Sequence, residues 1–306
     1  MRIGDRVRIW RNAAARRRAG SSTLLLLALT GAGSTLRAQQ PFHRGAPLSA
    51  TASVQLFTAA GSVVVEGWDR DSIDIQGTIG RGLTPHSGGD LLAFKMSTYD
   101  GRQDLSQPSH LVIRVPRRAQ LWLKGTTGTI TARALDGTVD LYSISGPIDA
   151  REMRGDLTAE SMRGDLRVRG SMRWLRVRSG EGRVYVEGVV RDVAATTVRG
   201  SITLRGSADR ARVETVSGLV AVALPAPASS SLDIDTHDGP VRLQLGPERN
   251  ATVDLFTHAG RIRNTLSAAT PSASGLKGSV LSMVLGAGGS RVSVRTFSGK
   301  IVLSGR

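Results

Sequence analysis

Two histidines stand in like contexts, His237 in Thr-His-Asp-Gly and His258 in Thr-His-Ala-Gly, 21 residues apart with Asp235 close by. Two imidazoles and a carboxylate form a ligand set that zinc accepts. A second group is basic: Arg151, Arg167 and Arg169 with Tyr185, inside an arginine-dense stretch from Arg151 to Arg191. Guanidinium forks beside a phenol ring suit an anionic polymer, the cations supplying charged hydrogen bonds and the ring a flat contact. A third group is acidic, Asp149, Asp165 and Glu187 beside Arg167. Carboxylates converging on one outer sheet are what a β-helix polysaccharide lyase or glycosidase requires. Arg154-Gly155-Asp156 and Arg163-Gly164-Asp165 add two copies of an integrin-type recognition triplet.

Something must position these groups, and a count along the chain shows what. Gly128, Gly146, Gly164, Gly182, Gly200 and Gly218 recur at every eighteenth position, and Gly137, Gly155, Arg173, Arg191 and Asp209 mark the half-way points, so the chain counts in nines. Self-similarity at a fixed short period is the signature of stacked repeats. With each mark as position zero, positions two and four are apolar, as in Ile130/Ala132, Val139/Leu141, Ile148/Ala150, Leu157/Ala159, Leu166/Val168 and Leu175/Val177. Positions one, three and five are polar, so the nines read as strands with two and four facing inward. Position seven (Leu135, Ile144, Met153, Met162, Val189, Val198, Val216) is also apolar and is expected to point inward.

Glycine at a mark suits a corner that needs a positive φ. It is unbroken only at every second mark, so the structural unit is a coil that spans two nines and carries two strands. A hydroxyl precedes each corner glycine by three residues: Thr58, Ser143, Ser161, Ser179, Thr197, Thr215, Thr236, Thr257 and Thr296. Stacked, these would satisfy corner backbone groups and one another. The expected fold is therefore all-β, a single-stranded β-solenoid (β-helix) of about 18 residues and two strands per coil, stabilised by coil-on-coil stacking.

That regularity offers a plainer account of the chemical groups. Both triplet glycines are corner residues. Residues one full period apart stack, which sets Asp149 beside Arg167, Arg169 beside Glu187 and Glu160 beside Arg178. Such cross-strand pairs contribute tenths of a kcal/mol each and help to set register. His237 and His258 share position seven, and repetition alone would place one above the other. The Gly-Gly-x-Gly-x-Asp repeat of calcium-binding β-rolls is absent, as are HExxH, a phosphate loop and a Ser/His/Asp order. The chain therefore reads as non-catalytic, without a cofactor. Arg151, Arg167, Arg169 and Tyr185 are the candidate ligand-binding residues, and His237, His258 and Asp235 the candidate metal ligands.

Composition agrees. Aromatics are 4% against 36 glycines, which favours a core of Val, Ile, Leu and Ala rows, and the absence of cysteine excludes disulfides, thiolate metal sites and a cysteine nucleophile. Residues 1–38 read as a signal peptide, with Arg2 to Arg18 as the basic region, Thr23–Thr30 as the apolar run and Leu36-Arg37-Ala38 as the cleavage site. Of the formal charge of +16, eight arginines and one aspartate fall there, leaving +9 on the rest. That balance describes a moderately basic exported protein and does not call for nucleic acid. No later stretch is apolar enough to span a membrane. Residues 39–306 are expected to form one solenoid domain. The count lapses at 78–109, with one strand expected at Leu92–Ser97, and at 265–289; both segments read as insertions. The last unit, Ser290–Arg306, leaves the strand around Leu303 as an open edge, which predicts end-to-end self-association.

The chain resembles the toast-rack β-solenoid family of bacterial envelope proteins, an adhesin-like group. The resemblance rests on Gly61-Ser-Val-Val-Val-Glu-Gly-Trp-Asp69, on Val112-Ile-Arg-Val-Pro-Arg-Arg-Ala-Gln-Leu-Trp-Leu123, and on the recurrence at Thr215–Val220 and Thr296–Ile301. It covers most of residues 53–306. It implies an exported or membrane-tethered envelope protein without established catalytic residues. The long ladders of regularly spaced outward side chains suit a repetitive partner, a polysaccharide or another envelope protein, so the chain reads as a binding or scaffold protein of the periplasm or cell surface. A β-helix carbohydrate-active enzyme and a self-assembling filament are the alternatives.

Overall fold

The computed structural model describes residues 39–80, 83–98, 106–224, 230–246 and 250–305, and the expected signal peptide lies outside them. Strands are the only regular elements among the described residues, so the fold is all-β. Among the described residues no helix is long and apolar enough to cross a membrane. The first elements are β1 (Gln40–Pro47), β2 (Ser53–Thr58), β3 (Gly61–Trp68), β4 (Ser72–Ile79), β5 (His86–Gly89), β6 (Ala93–Ser97) and β7 (Ser109–Pro116). Short strands follow: β8 (Gln120–Gly125), β9 (Thr129–Arg133), β10 (Thr138–Ser143), β11 (Ile148–Met153) and β12 (Asp156–Ser161). Three long ones come next, β13 (Leu166–Ser179), β14 (Val184–Arg199) and β15 (Ile202–Ser217). The remainder are β16 (Val220–Leu224), β17 (Ser231–Asp238), β18 (Val241–Leu245), β19 (Ala251–Thr257), β20 (Ile262–Asn264), β21 (Ser272–Ser274), β22 (Gly278–Leu285), β23 (Ser290–Ser298) and β24 (Ile301–Gly305).

Stacking is parallel and follows the count. Val139 lies opposite Leu157, Ile148 opposite Leu166, and Leu175 opposite Val193, each one full period on. Positions two and four are the core, with Val139, Ile148, Ala150, Leu157, Ala159, Leu175 and Val177 at 1% exposure or less. Two ladders result. One runs β6, β2, β8, β10, β12 and on through the second halves of β13 to β15; the other runs β7, β3, β9, β11 and the first halves of the same strands. A fully buried Val, Leu or Ile contributes roughly 1.5–3 kcal/mol, and no single coil could bury its own.

The central coils depart from the expected two strands. Strands β13, β14 and β15 are 14, 16 and 16 residues long and pass through the half-way point unbroken. Gly170, Gly188 and Gly206 stack there in register, and backbones approach so closely that a Cβ on Gly206 would lie 1.8 Å from the Gly188 oxygen. Gly206 has φ +117°. The same column in the earlier coils holds Ala134 and Glu152, both left-handed with φ 56° and 54°. Those two residues reverse the alternation and turn Leu135 and Met153 into the core at 0% exposure.

Position seven therefore does not behave uniformly, which corrects the sequence expectation. Met162, Val189, Val198 and Val216 are 52–57% exposed. At the glycine corners the hydroxyl residue takes the inward place, so simple alternation turns its successor outward. Those hydroxyls are buried as expected. Ser143, Ser161 and Ser179 each accept a 2.8 Å hydrogen bond from the corner glycine N–H three residues on, and Thr197 meets Thr215 at 2.9 Å. Thr236 and Thr296 Oγ1 are buried without a partner among the described residues.

Space and sequence part company at both ends. Strand β23 lies between β17 and β19, and β24 between β18 and β20. The strand around Leu303 is thus internal, which removes the open-edge argument for end-to-end association. Residues 265–289 supply β21 and β22, the latter antiparallel to β19. Likewise β2 and β3 sit between β6/β7 and β8/β9. The 78–109 segment is not a plain loop, since β6 stacks on β2.

Candidate functional site

On the outer face of β9, β11 and the first halves of β13 to β15 the stack sets Thr131, Asp149, Arg167, Tyr185 and Thr203 in one row. They line a depression of about 510 Å3 together with Asp165, Arg169 and Arg183. Three of the four expected ligand-binding residues, Arg167, Arg169 and Tyr185, meet here. The fourth, Arg151, is turned aside: its Nε and Nη2 donate to Asp149 at 3.0 and 2.5 Å. That contact replaces the expected Asp149–Arg167 ion pair, although those two residues are in register. The other two expected pairs form, Arg169–Glu187 at 3.1 Å and Arg178–Glu160 at 3.7 Å.

Most charges in the depression are committed to one another. The Tyr185 hydroxyl donates to Glu187 at 3.0 Å, and the Arg169 guanidinium lies 5.8 Å from the Tyr185 ring centre. Arg183 donates to Asp165 through its backbone N–H at 2.8 Å and through Nε and Nη2 at 3.1 and 2.7 Å. Arg167 makes no hydrogen-bonded ion pair among the described residues. Partial burial would raise the Asp165 carboxyl, but the Arg183 guanidinium and N–H, with the charge of Arg167, outweigh it and hold Asp165 below the ordinary carboxylate range. A glycosidase acid must carry a proton at working pH, and Asp165 is held in the opposite state.

This shift has a sign that can be tested. The folded-state value of Asp165 is depressed, so its contribution is fully present above the unfolded value, about pH 4, and disappears as pH falls through the lower folded value. Asp165→Asn is expected to lower the thermal midpoint modestly at neutral pH and to leave it nearly unchanged in strong acid, so that the acid limb of the profile flattens. The effect should stay below about 1 kcal/mol because the side chain is 45% exposed. An unaltered acid limb would contradict it.

The metal candidates are not brought together. Because β23 intercalates, Phe297 lies between His237 and His258, with ring centres 5.0 and 4.9 Å away and planes within 12° and 18°. The two imidazoles stack on opposite faces of a phenyl ring and cannot share one ion. Asp235 faces the Arg295 position on β23. These residues instead line a second, more open depression of about 650 Å3 with Phe256, Val198 and Val216. Sequence reasoning missed it because position seven was assigned to the core. Both triplet carboxylates are engaged within the stack, Asp156 with Arg173 at 2.5 Å and Asp165 with Arg183 at 2.7 Å.

Comparison with known proteins follows the same lines. The family model described as Toastrack DUF4097 matches residues 92–303, more than half of the chain. Among solved structures, a "Putative lipid binding protein" from Parabacteroides distasonis ATCC 8503 is 12% identical, with 87% of this chain and 97% of that chain covered at a TM-score of 0.50. A "putative adhesin" from the same organism is 10% identical, with 87% and 98% covered at 0.48. Another from Bacteroides fragilis NCTC 9343 is 11% identical, with 88% and 99% covered at 0.43. At such identities the first likeness speaks for the fold alone, and the other two, below 0.5, add no argument. No curated protein matches the sequence. The family match, over the same stacked strands that carry the depression, shows that the chain belongs to the Toastrack family.

Proposed function

We propose that this chain is an exported, non-catalytic β-solenoid of the bacterial envelope, built on repeating two-strand coils, that binds an acidic polysaccharide at the Arg167–Tyr185 depression. One observation carries this: Arg167 stands without a hydrogen-bonded carboxylate beside Tyr185, in an open depression whose Asp149 and Asp165 are already held by Arg151 and Arg183. Rows repeating at strand spacing, ~4.8 Å, present the same outward positions along the stack, a form that suits a polymer better than a small molecule. The basic and apolar character of residues 1–38 supports export to the periplasm or cell surface. The tied carboxylates favour binding over bond cleavage.

Titration of the full chain with polygalacturonate, and with neutral dextran as control, tests the reading. Reversible binding of the acidic polymer without new reducing ends is expected. Arg167→Ala should weaken it about tenfold or more, in line with a lost hydrogen bond to a charged group. Arg151→Ala should weaken it as well, because Asp149 is then released to pair with Arg167, its partner in register. Polymer shortening would overturn the non-catalytic assignment, and equal affinity for dextran would overturn the site.

A further inference from the structure

Through the centre most cations are paired, as Arg173 is with Asp156 at 2.5 Å, Arg210 with Asp192 at 3.1 Å and Arg212 with Glu214 at 2.7 Å, although Arg154, Arg163, Arg167, Arg176 and Arg205 make no ion pair among the described residues. Around β18, β24 and β20 five cations stand close together with none of them paired. Arg242, Arg261, Arg263, Lys277 and Lys300 are all exposed, and none has an ion-pair partner among the described residues.

The topology gathers these five at one corner. Arg242 and Arg263 both lie opposite Val302, on the two flanking strands, and so share an outward row. Lys300 and Arg261 are the residues that lead into β24 and β20, where the Ile301 N–H donates to the Arg261 oxygen at 3.0 Å. The Gly260 N–H donates to the Lys277 oxygen at 3.1 Å, which fixes Lys277 against the same corner. Three adjacent strands hold the group within roughly 10 Å across the ladder. Asp238, the carboxylate on the preceding corner, accepts a hydrogen bond from Ser298 at 2.9 Å.

Beside these cations stands Leu276, at the tip of the β21–β22 hairpin between Gly275, with φ +64°, and Lys277. It is fully exposed, at 104%. A single exposed leucine needs no explanation. A leucine at a hairpin tip beside five unpaired cations matches the two parts of an interfacial membrane anchor, in which an apolar group enters the headgroup layer while Lys and Arg rest on anionic phosphates.

We propose that this corner docks the protein on an anionic lipid bilayer, with Leu276 inserted and Arg242, Arg261, Arg263, Lys277 and Lys300 on the headgroups. An acidic polymer would answer the cations and leave Leu276 without a role, so the bilayer accounts for more of what is seen. The corner shares no residue with the Arg167–Tyr185 depression, although Arg242 continues the same outward row two strands beyond Thr203, and the inference does not depend on that site.

The chain has no cysteine, so Leu276→Cys gives one site for an environment-sensitive fluorophore. A dye at residue 276 reports the corner alone and is silent about the basic stretch at residues 1–38. Vesicles of phosphatidylcholine with about one-third phosphatidylglycerol should shift its emission to the blue, with saturation. Pure phosphatidylcholine should not, and raised salt should reverse the shift. Each surface cation is worth about fivefold in partitioning, so Lys277→Glu with Lys300→Glu should weaken binding more than about 25-fold. In co-sedimentation the Leu276→Ser variant should bind the same vesicles several-fold more weakly than the unsubstituted chain. Unchanged thermal midpoints would show that the variants are folded. No shift on anionic vesicles, or an equal shift on neutral ones, would overturn the proposal. A shift with polygalacturonate but not with vesicles would overturn it too and assign the corner to an acidic polymer.

Discussion

Gly206→Ala is expected to lower stability by at least about 4 kcal/mol, read as a fall in the denaturant midpoint, while Gly88→Ala changes it by less than about 0.5 kcal/mol. Two costs combine at Gly206. Its φ of +117° is strained for any L-residue, which alone costs about 1–3 kcal/mol. A Cβ would also lie 1.8 Å from the Gly188 oxygen and 2.7 Å from its carbonyl carbon. Those atoms belong to a neighbouring backbone and cannot step aside as a side-chain end would. The β14–β15 pairing has to open locally, and the buried Leu204 and Ala208 would lose neighbours on either side. At Gly88 a Cβ meets nothing within 4 Å, so the pair of variants separates this contact from the general effect of glycine replacement. Equal midpoints would show that the coils can slide apart freely.

Ending the chain after Gly289 should destroy more than the segment removed. If the coils lay in sequence order, the loss would be one terminal unit. Instead β23 and β24 carry Val292, Val294, Ile301 and Leu303, all 2% exposed or less, between two other coils. At about 1.5–3 kcal/mol for each, four such side chains account for roughly 6–12 kcal/mol, comparable with the whole stability of an ordinary domain. Hydrogen exchange should show protection lost across residues 251–264 and 278–285 as well, since β19 and β20 are severed from the stack. Protection across β8 to β14 should persist, because repeat arrays are held mainly by nearest neighbours. Protection retained at 251–264 would mean that β19 can re-pair with β17 directly.

What could be read from the sequence is what repeats. The register of Val139 on Leu157, the buried hydroxyl column and the inward positions two and four all follow from one count, because every coil must bury the same places. The depression was legible for the same reason: Arg167 and Tyr185 are one full period apart and therefore neighbours. What does not repeat was hidden. Nothing in the periodicity distinguishes β23 beside β17 from β19 beside β17, since both offer the same Thr-x-x-Gly corner. The histidine pairing failed on that point alone, as Phe297 took the place between them. Arg151 was misjudged because its nearest acid, Asp149, sits two residues away on its own strand, within reach of a bent guanidinium but outside the count between coils. Position seven points inward where Ala134 and Glu152 invert the alternation, at Leu135 and Met153, and outward where Gly188 does not, at Val189.

The place of β23 and β24 also has a meaning in time. Stacked arrays commonly grow by adding each newly made unit to the one before. Here residues 251–264 leave the ribosome first, yet the surface they need is supplied by residues 290–305, about forty residues later. At ~5–20 residues per second this interval is roughly 2–8 seconds. Throughout it Leu232 and Ile234 on one side, and Val253 and Leu255 on the other, present open apolar edges with the wrong neighbour in reach. The stack can be zipped from its middle but must be locked from outside its natural order, and a holding factor would find its substrate in that interval.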